Sequence, residues 1–342
     1  MSILLATQVA DDLHDPGPDH PERPERVRAV LSGIDDAGVA DDMIAFRPRR
    51  ATRDEVTRVH HPDYLARLEW RGAHGEALDP DTPVGPGSYE AALRAAGAGL
   101  EAVERLDAGE ALDAFLAVRP PGHHALSRVG MGFCLLNNIA ITASALVARG
   151  ERVLILDWDA HHGNGTQAAF YDEPEVLFVS LHQYPAYPGT GALEEVGEGA
   201  GAGTTINLPF PAGTSGDAYR RAFDEVIVPA AEEFGASWLL VSAGFDAHRA
   251  DPITDLGLSA GDFSDLTARV LHLGHPGRRI FFLEGGYDLE ALAMSAGACV
   301  AALAGVRYLP ERPSVADARG ADERALAVIA AAARRHGEVG AR

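Results

Sequence analysis

The stretch RVLILDWDAHHGNGTQ, residues 152–167, joins two unlike halves. Its first half is a continuous aliphatic run ending at Leu156. Its second half gathers Asp157, Asp159, His161, His162 and Asn164 among glycines. A short apolar run without polar alternation suits a strand buried on both faces of a parallel sheet. Titratable groups directly after such a strand sit at its carboxyl end, where open α/β sheets bind their ligands.

The same pattern recurs outward in both directions. Apolar runs at 113–118, 176–181, 238–242 and 280–284 read as further strands. Ala-rich helical stretches at 87–106, 135–148, 218–234, 260–273 and 289–303 alternate with them. This order predicts βαβ units and a parallel sheet covered by helices on both faces. Each strand is followed at once by a polar or glycine cluster: Arg119 to His124, His182 to Tyr187, Ser242 to Asp246, and Glu284 to Tyr287. Five strand ends are therefore expected to converge on one face. No linker divides the chain, since the Gly-rich stretch 197–203 is only a loop, and no repeat is present. The reading is a single α/β domain over 1–342, in which 306–342 is a peripheral segment ending in a helix.

Bulk properties narrow the class. With 46% hydrophobic residues in 342, the chain can bury a large core. It lacks an apolar run of 18 residues, so no membrane span is expected. The apolar start, Met1 to Ala6, is too short and lacks the basic flank of a signal peptide. Cys134 and Cys299 are the two cysteines, too few for a disulfide framework. A cytoplasmic enzyme with reduced thiols is expected. The net charge of -21 leaves no basic footprint and argues against a nucleic-acid binder. Such a field favours cationic ligands, although its first consequence is solubility. All 29 basic residues are Arg, which reads as genomic composition rather than mechanism.

Asp159 and His161 stand two apart at a strand end, so in extended chain both side chains lie on one side. They could chelate one ion, and Asp246 from another strand end could complete the set. Two carboxylates and one imidazole leave coordination positions open for water and substrate, as a catalytic zinc site requires. One Asp-X-His pair alone would more often be a solvated turn. Five clusters at five strand ends carry the inference instead.

The chain resembles histone deacetylases, especially the class II-like bacterial and eukaryotic deacetylases and their acetylpolyamine amidohydrolase relatives. The matching runs are HPERPER (20–26), RPPGHHA (119–125), GFCLLNN (132–138), DWDAHHGNGTQ (157–167), SAGFDAHRADP (242–252) and EGGY (284–287). They follow the family order over about 14–305. The resemblance implies the arginase–deacetylase fold, one domain around a parallel eight-stranded sheet, with one catalytic Zn2+ on Asp159, His161 and Asp246. Arginases share that fold but bridge two manganese ions. His248 stands here where they carry a further metal-binding Asp, which implies a mononuclear site.

By the family pattern His123 pairs with Asp157, and His124 with Asn164, a class II feature. A carboxylate partner keeps a histidine cationic more readily than an amide does. His124 is therefore expected as the general base and later the acid, with His123 supplying electrostatic stabilisation. Tyr287 is expected to donate its hydroxyl to the oxyanion. Family members with His at that place are poor at ordinary acetyl-lysine. Phe133, beside Gly132, and Tyr187 match the aromatic walls of a narrow acyl tunnel, with Tyr187 replacing the more usual Phe. Asp157, Asp159, His161, Ser180 and Leu181 match a K+ site near the zinc. His162 is expected to support the metal ligands, His182 to pack or hydrogen-bond, and Cys134 to be structural. Asp81 resembles a rim residue that binds the substrate backbone, and Asp255 lies where acetylpolyamine-selective relatives carry an acidic gate. The expected substrates are acetylated lysine in a peptide or protein, or an acetylated polyamine. The remaining alternative is a non-catalytic scaffold for acylated chains, against which the intact ligand and proton-transfer residues speak. A homo-oligomer is compatible with all of these.

Overall fold

Alternation along the strands separates two hydrophobic layers. Leu154 and Leu156 enter one core while Val153 and Ile155 enter the other. Successive side chains on a strand point to opposite faces, so a run that is apolar throughout must be covered on both. The computed structural model describes residues 2–8, 13–316 and 320–340. Its strands are β1 (Ile3–Thr7), β2 (Met43–Phe46), β3 (Asp113–Ala117), β4 (Val153–Asp157), β5 (Val176–Gln183), β6 (Thr205–Phe210), β7 (Trp238–Ala243) and β8 (Arg279–Leu283). They form one eight-stranded sheet in the order β2-β1-β3-β8-β7-β4-β5-β6. Every neighbouring pair is parallel.

The five strands read from the sequence are the consecutive members β3-β8-β7-β4-β5. Their carboxyl ends lie side by side, so the polar clusters that follow them share one edge. The other three carry weaker signals. β2 has four residues, none of them fully buried. β6 contains Asn207 and Pro209, and Pro fits a strand only where its missing N–H faces outward, as on this edge. β1 is a short segment of five residues, of which the first four are apolar and buried.

The helices differ from expectation in their ends. The stretch at 135–148 becomes helical only at Asn138–Val147, because Asn137 accepts the N–H of Ala140 and caps it. The stretch at 218–234 is not one α-helix. Gly216–Ala222 and Val228–Phe234 are separated by a π-helical turn, Phe223–Ile227, next to Pro229. The stretch at 260–273 ends at Val270. In the tail, helix Ala321–Gly340 packs along β6 and buries Ala325, Ile329 and Ala332 in the main core. It is thus integral to that edge rather than only peripheral. None of the described helices is long and apolar enough to cross a membrane.

Candidate active site

Parallel register brings the ends of β4 and β7 together, with Asp157 opposite Ser242. Asp159 and His161 leave the end of β4, and Asp246 leaves the end of β7. The three are buried, and one donor atom from each lies within 4.8 Å of the others. His161 Nδ1 is 2.9 Å from Asp246 Oδ2 and 3.2 Å from Asp159 Oδ1. Backbone groups fix both carboxylates. Ala160 N–H donates to Asp246 Oδ1 at 2.8 Å, and Gly285 N–H donates to Asp159 Oδ2 at 2.7 Å. Gly285 must be glycine, since a Cβ there would lie 2.3 Å from Asp246 Oδ2 and 2.7 Å from Asp159 Oδ2.

This donor set fits a divalent ion. Two ligands about 2.0–2.1 Å from one tetrahedral zinc stand roughly 3.3 Å apart, close to the separations at His161 Nδ1. Two buried carboxylates against one imidazole also require a positive charge. Burial opposes a charged His161, yet its hydrogen bonds to Asp159 and Asp246 push it up to about 10.

The adjacent histidines are separated electrostatically by their partners. His123 Nδ1 lies 2.9 Å from Asp157 Oδ2, and His124 Nδ1 lies 2.7 Å from Asn164 Oδ1. Burial alone would lower His123, but the carboxylates of Asp159 and Asp157 outweigh it and hold it well above its ordinary value. His124 is held well below, by burial and by the neighbouring His123 and His161. The two rings lie 4.0 Å apart, so a charge on one disfavours a charge on the other.

Asp81, His124, Gly132, Phe133, His161, Tyr187, Ile253 and Tyr287 line a single cavity of about 280 Å³. Phe133 meets Tyr287 edge-on at 5.6 Å, and Tyr187 meets His124 edge-on at 5.2 Å. Gly132 and Phe133 both have positive φ, 55° and 67°, a tight turn that projects the Phe133 ring. A side chain at Gly132 would strike His124 at 2.5 Å. The rim is open, with Tyr187 39% and Ile253 42% exposed. Asp81 stands at that rim with Thr82 donating to it at 3.0 Å. Burial and the neighbouring Asp79 raise its pKa.

Asp255 is not brought to this cavity. Its N–H donates to Gln183 Oε1 at 2.7 Å and its carbonyl accepts from Gly213, which holds it over a separate depression beside Ser215, Arg249 and Arg312. Ile253, two residues earlier, takes the place at the mouth. Asp157 and Ser180 are register partners across β4 and β5, with Leu181 next in the strand. Ser180 also lies 2.9 Å from His182 Nδ1, and His182 Nε2 donates to the Gly191 carbonyl at 3.0 Å. His162 Nε2 donates to Gln167 Oε1 at 2.9 Å and its Nδ1 accepts from Thr190 at 2.8 Å. His248 turns away toward Glu311, with 2.7 Å between Nε2 and Oε2. Cys134 is buried, and burial pushes its thiol up, away from thiolate chemistry.

Sequence reasoning quoted several supporting residues without assigning them a place. Glu22 is fully buried and accepts from Arg119 Nη2 at 2.7 Å and Arg26 Nη1 at 3.1 Å. Arg26 donates to the carbonyls of Gly286 and Glu284 and lies 4.9 Å over the Tyr287 ring. Glu284 accepts the N–H groups of Gly122 and His123 at 2.7 and 3.2 Å. Nothing in the sequence marked Glu22 and Arg26 as the buried pair, since their neighbours Pro21, Arg23 and Pro24 are half-buried and Glu25 is exposed.

A family model described as "Histone deacetylase domain" matches residues 20–303. A protein from Archaeoglobus fulgidus named "Probable deacetylase" is 40% identical over 314 residues, covering 87% of this chain and 88% of that one. The "Histone deacetylase-like amidohydrolase" of Pseudomonas aeruginosa is 39% identical over 303 residues, covering 86% and 79%. Among solved structures, the HDA15 HD domain superposes with a TM-score of 0.89 at 34% identity, covering 99% of this chain and 96% of that one.

Proposed function

The chain belongs to the histone deacetylase family, and we propose that it is a zinc-dependent deacetylase that hydrolyses the N-acetyl amide of acetyl-lysine side chains or related acyl-amines. The observation that carries this reading is one cavity holding a metal donor, His161, together with His124 and Tyr287. Asp159 and Asp246 would complete the zinc site with His161. When bound, the ion would lower the pKa of a coordinated water to about 7 and polarise the amide carbonyl.

The chain's own groups handle the protons. His124 donates through Nδ1 to the Asn164 oxygen, which leaves Nε2 to accept a proton from the attacking water. The amide of Asn164 does not hold the ring cationic, so His124 can pass that proton to the leaving nitrogen. His123, bound to Asp157, stays charged and stabilises the negative charge that grows at the carbonyl oxygen. Tyr287 donates its hydroxyl to the same oxygen. Phe133 and Tyr187 grip the methylene chain behind the acetamide. Acetate and a free amine are the products. Asp157, Asp159, His161, Ser180 and Leu181 are our assignment for a structural K+, supported by the β4–β5 register that sets Asp157 against Ser180.

A second reading is favoured by Asp81, the one carboxylate on the rim among the described lining residues. It would suit the cationic tail of an acetylpolyamine. The net charge of -21 also suits a cationic substrate, whereas Asp255 lies off the cavity and lends that reading no support. The test is a panel on zinc-loaded protein: acetyl-lysine peptides, N-acetylputrescine and acetylspermidine. Faster turnover of the peptides supports the first reading, and faster turnover of the polyamines the second. Metal loading without turnover of any acyl-amine would leave a scaffold.

A further inference from the structure

We propose that Asp251 is a positioning residue that fixes Tyr287 in the cavity by tying its backbone to that of Ile253. The inference rests on the reading of Tyr287 as the oxyanion donor. Asp251 lies in the loop after β7, and Tyr287 in the loop after β8. Oδ2 of Asp251 accepts the backbone N–H of Tyr287 at 2.8 Å. Its Oδ1 accepts the backbone N–H of Ile253 at 3.1 Å. The side chains of those two residues line the same cavity. One carboxyl group therefore links the backbones of two cavity-lining residues from two loops.

The chemistry of the side chain matters here. Buried backbone N–H groups outside the sheet ladder need acceptors. Two N–H groups from two loops are met here by the two oxygens of one carboxyl, where an amide offers one oxygen. Asp251 is buried, and among the described residues its carboxyl is met by backbone N–H groups, those of Tyr287 and Ile253, rather than by a basic side chain. A carboxylate that only capped its own loop would not need to reach Tyr287. The stem of that loop is already closed by Arg249 N–H to the Leu258 carbonyl at 2.8 Å and Leu258 N–H to the Ala247 carbonyl at 3.1 Å. Thr254 further ties it to the carbonyl of Asp246. The bond to Tyr287 ties this braced loop directly to the residue read as the oxyanion donor. An oxyanion donor works over a narrow range of distance, and a displacement of about 1 Å can cost on the order of 100-fold in rate.

The test is a double-mutant cycle on the zinc-loaded enzyme with Asp251→Asn and Tyr287→Phe, reading kcat and KM separately. Asn keeps the volume and one acceptor but loses the second. The expected result is a fall in kcat of about tenfold for Asp251→Asn with a smaller change in KM, and a fall of less than about twofold when Tyr287→Phe is already present. Equal losses in both backgrounds, which a general weakening of the fold would give, overturn the proposal. Full activity of Asp251→Asn beside a crippled Tyr287→Phe removes this inference alone. Full activity of Tyr287→Phe removes the reading of Tyr287 and this inference with it.

Discussion

His124 Nδ1 and Asn164 Oδ1 lie 2.7 Å apart, while the neighbouring His123 is bound to a carboxylate instead. An amide cannot offset a proton on the ring, so the two histidines differ in charge although adjacent in sequence. His124→Ala should reduce turnover by roughly 100-fold or more, the usual scale for a proton shuttle. Steady-state rates on an acetyl-lysine peptide check this, and a near-normal rate would remove His124 from the role. Asn164→Asp should favour the cationic ring and move the acid limb of the rate profile to higher pH. An unmoved limb would show that Asn164 does not govern the base.

Tyr287→Phe should also lower kcat by roughly 100-fold or more, with a smaller effect on KM, because the hydroxyl is expected to act mainly in the transition state. A change confined to KM would make the residue a substrate contact and nothing more.

Gly285→Ala should abolish tight metal binding. The added Cβ would fall 2.3 Å from Asp246 Oδ2 and 2.7 Å from Asp159 Oδ2, so the donors must move. Metal content after dialysis, measured beside circular dichroism, checks it. A folded variant with a full complement of zinc would contradict this geometry.

His60, outside the cavity lining, predicts a pH-dependent stability. Its Nδ1 donates to the Leu126 carbonyl at 3.0 Å, and its Nε2 accepts from the Asn137 N–H at 2.8 Å. That pairing admits only the neutral ring. Burial pushes its pKa down to about 4. The unfolded chain takes up a proton near pH 6.5 and the folded one does not until about 4. Stability contributed by His60 is thus present above about pH 6.5 and falls as pH drops toward 4, by about 1.4 kcal/mol per pH unit. Urea unfolding across this range should lose about one proton's worth of slope in His60→Gln. An unchanged slope would show that His60 does not titrate with folding.

Much of this arrangement was legible because strands announce themselves. Runs such as Val153 to Leu156 and Trp238 to Val241 are apolar on both faces, and the residues after them fall at the sheet's carboxyl edge. The candidate metal donors followed from that placement and the family motifs, and the histidine partners from the family motifs alone. Loop facing was not legible. Nothing periodic distinguishes Ile253 from Asp255, and hydrogen bonds to Gln183 and Gly213 decide which one faces the cavity. The buried cluster of Glu22, Arg26 and Arg119 was equally hidden, since Glu22 and Arg119 are 97 residues apart. The π-helical turn at Phe223–Ile227 has no signature in an Ala-rich helical pattern.

The most direct measurement is acetate release from an acetyl-lysine peptide by chelated and by zinc-reconstituted protein, with Asp246→Ala alongside. One zinc per chain should restore a turnover that chelation removes, and Asp246→Ala should neither hold the metal nor release acetate. Turnover that survives full chelation, or that persists in metal-free Asp246→Ala, would contradict a metal-dependent deacetylase built on Asp159, His161 and Asp246.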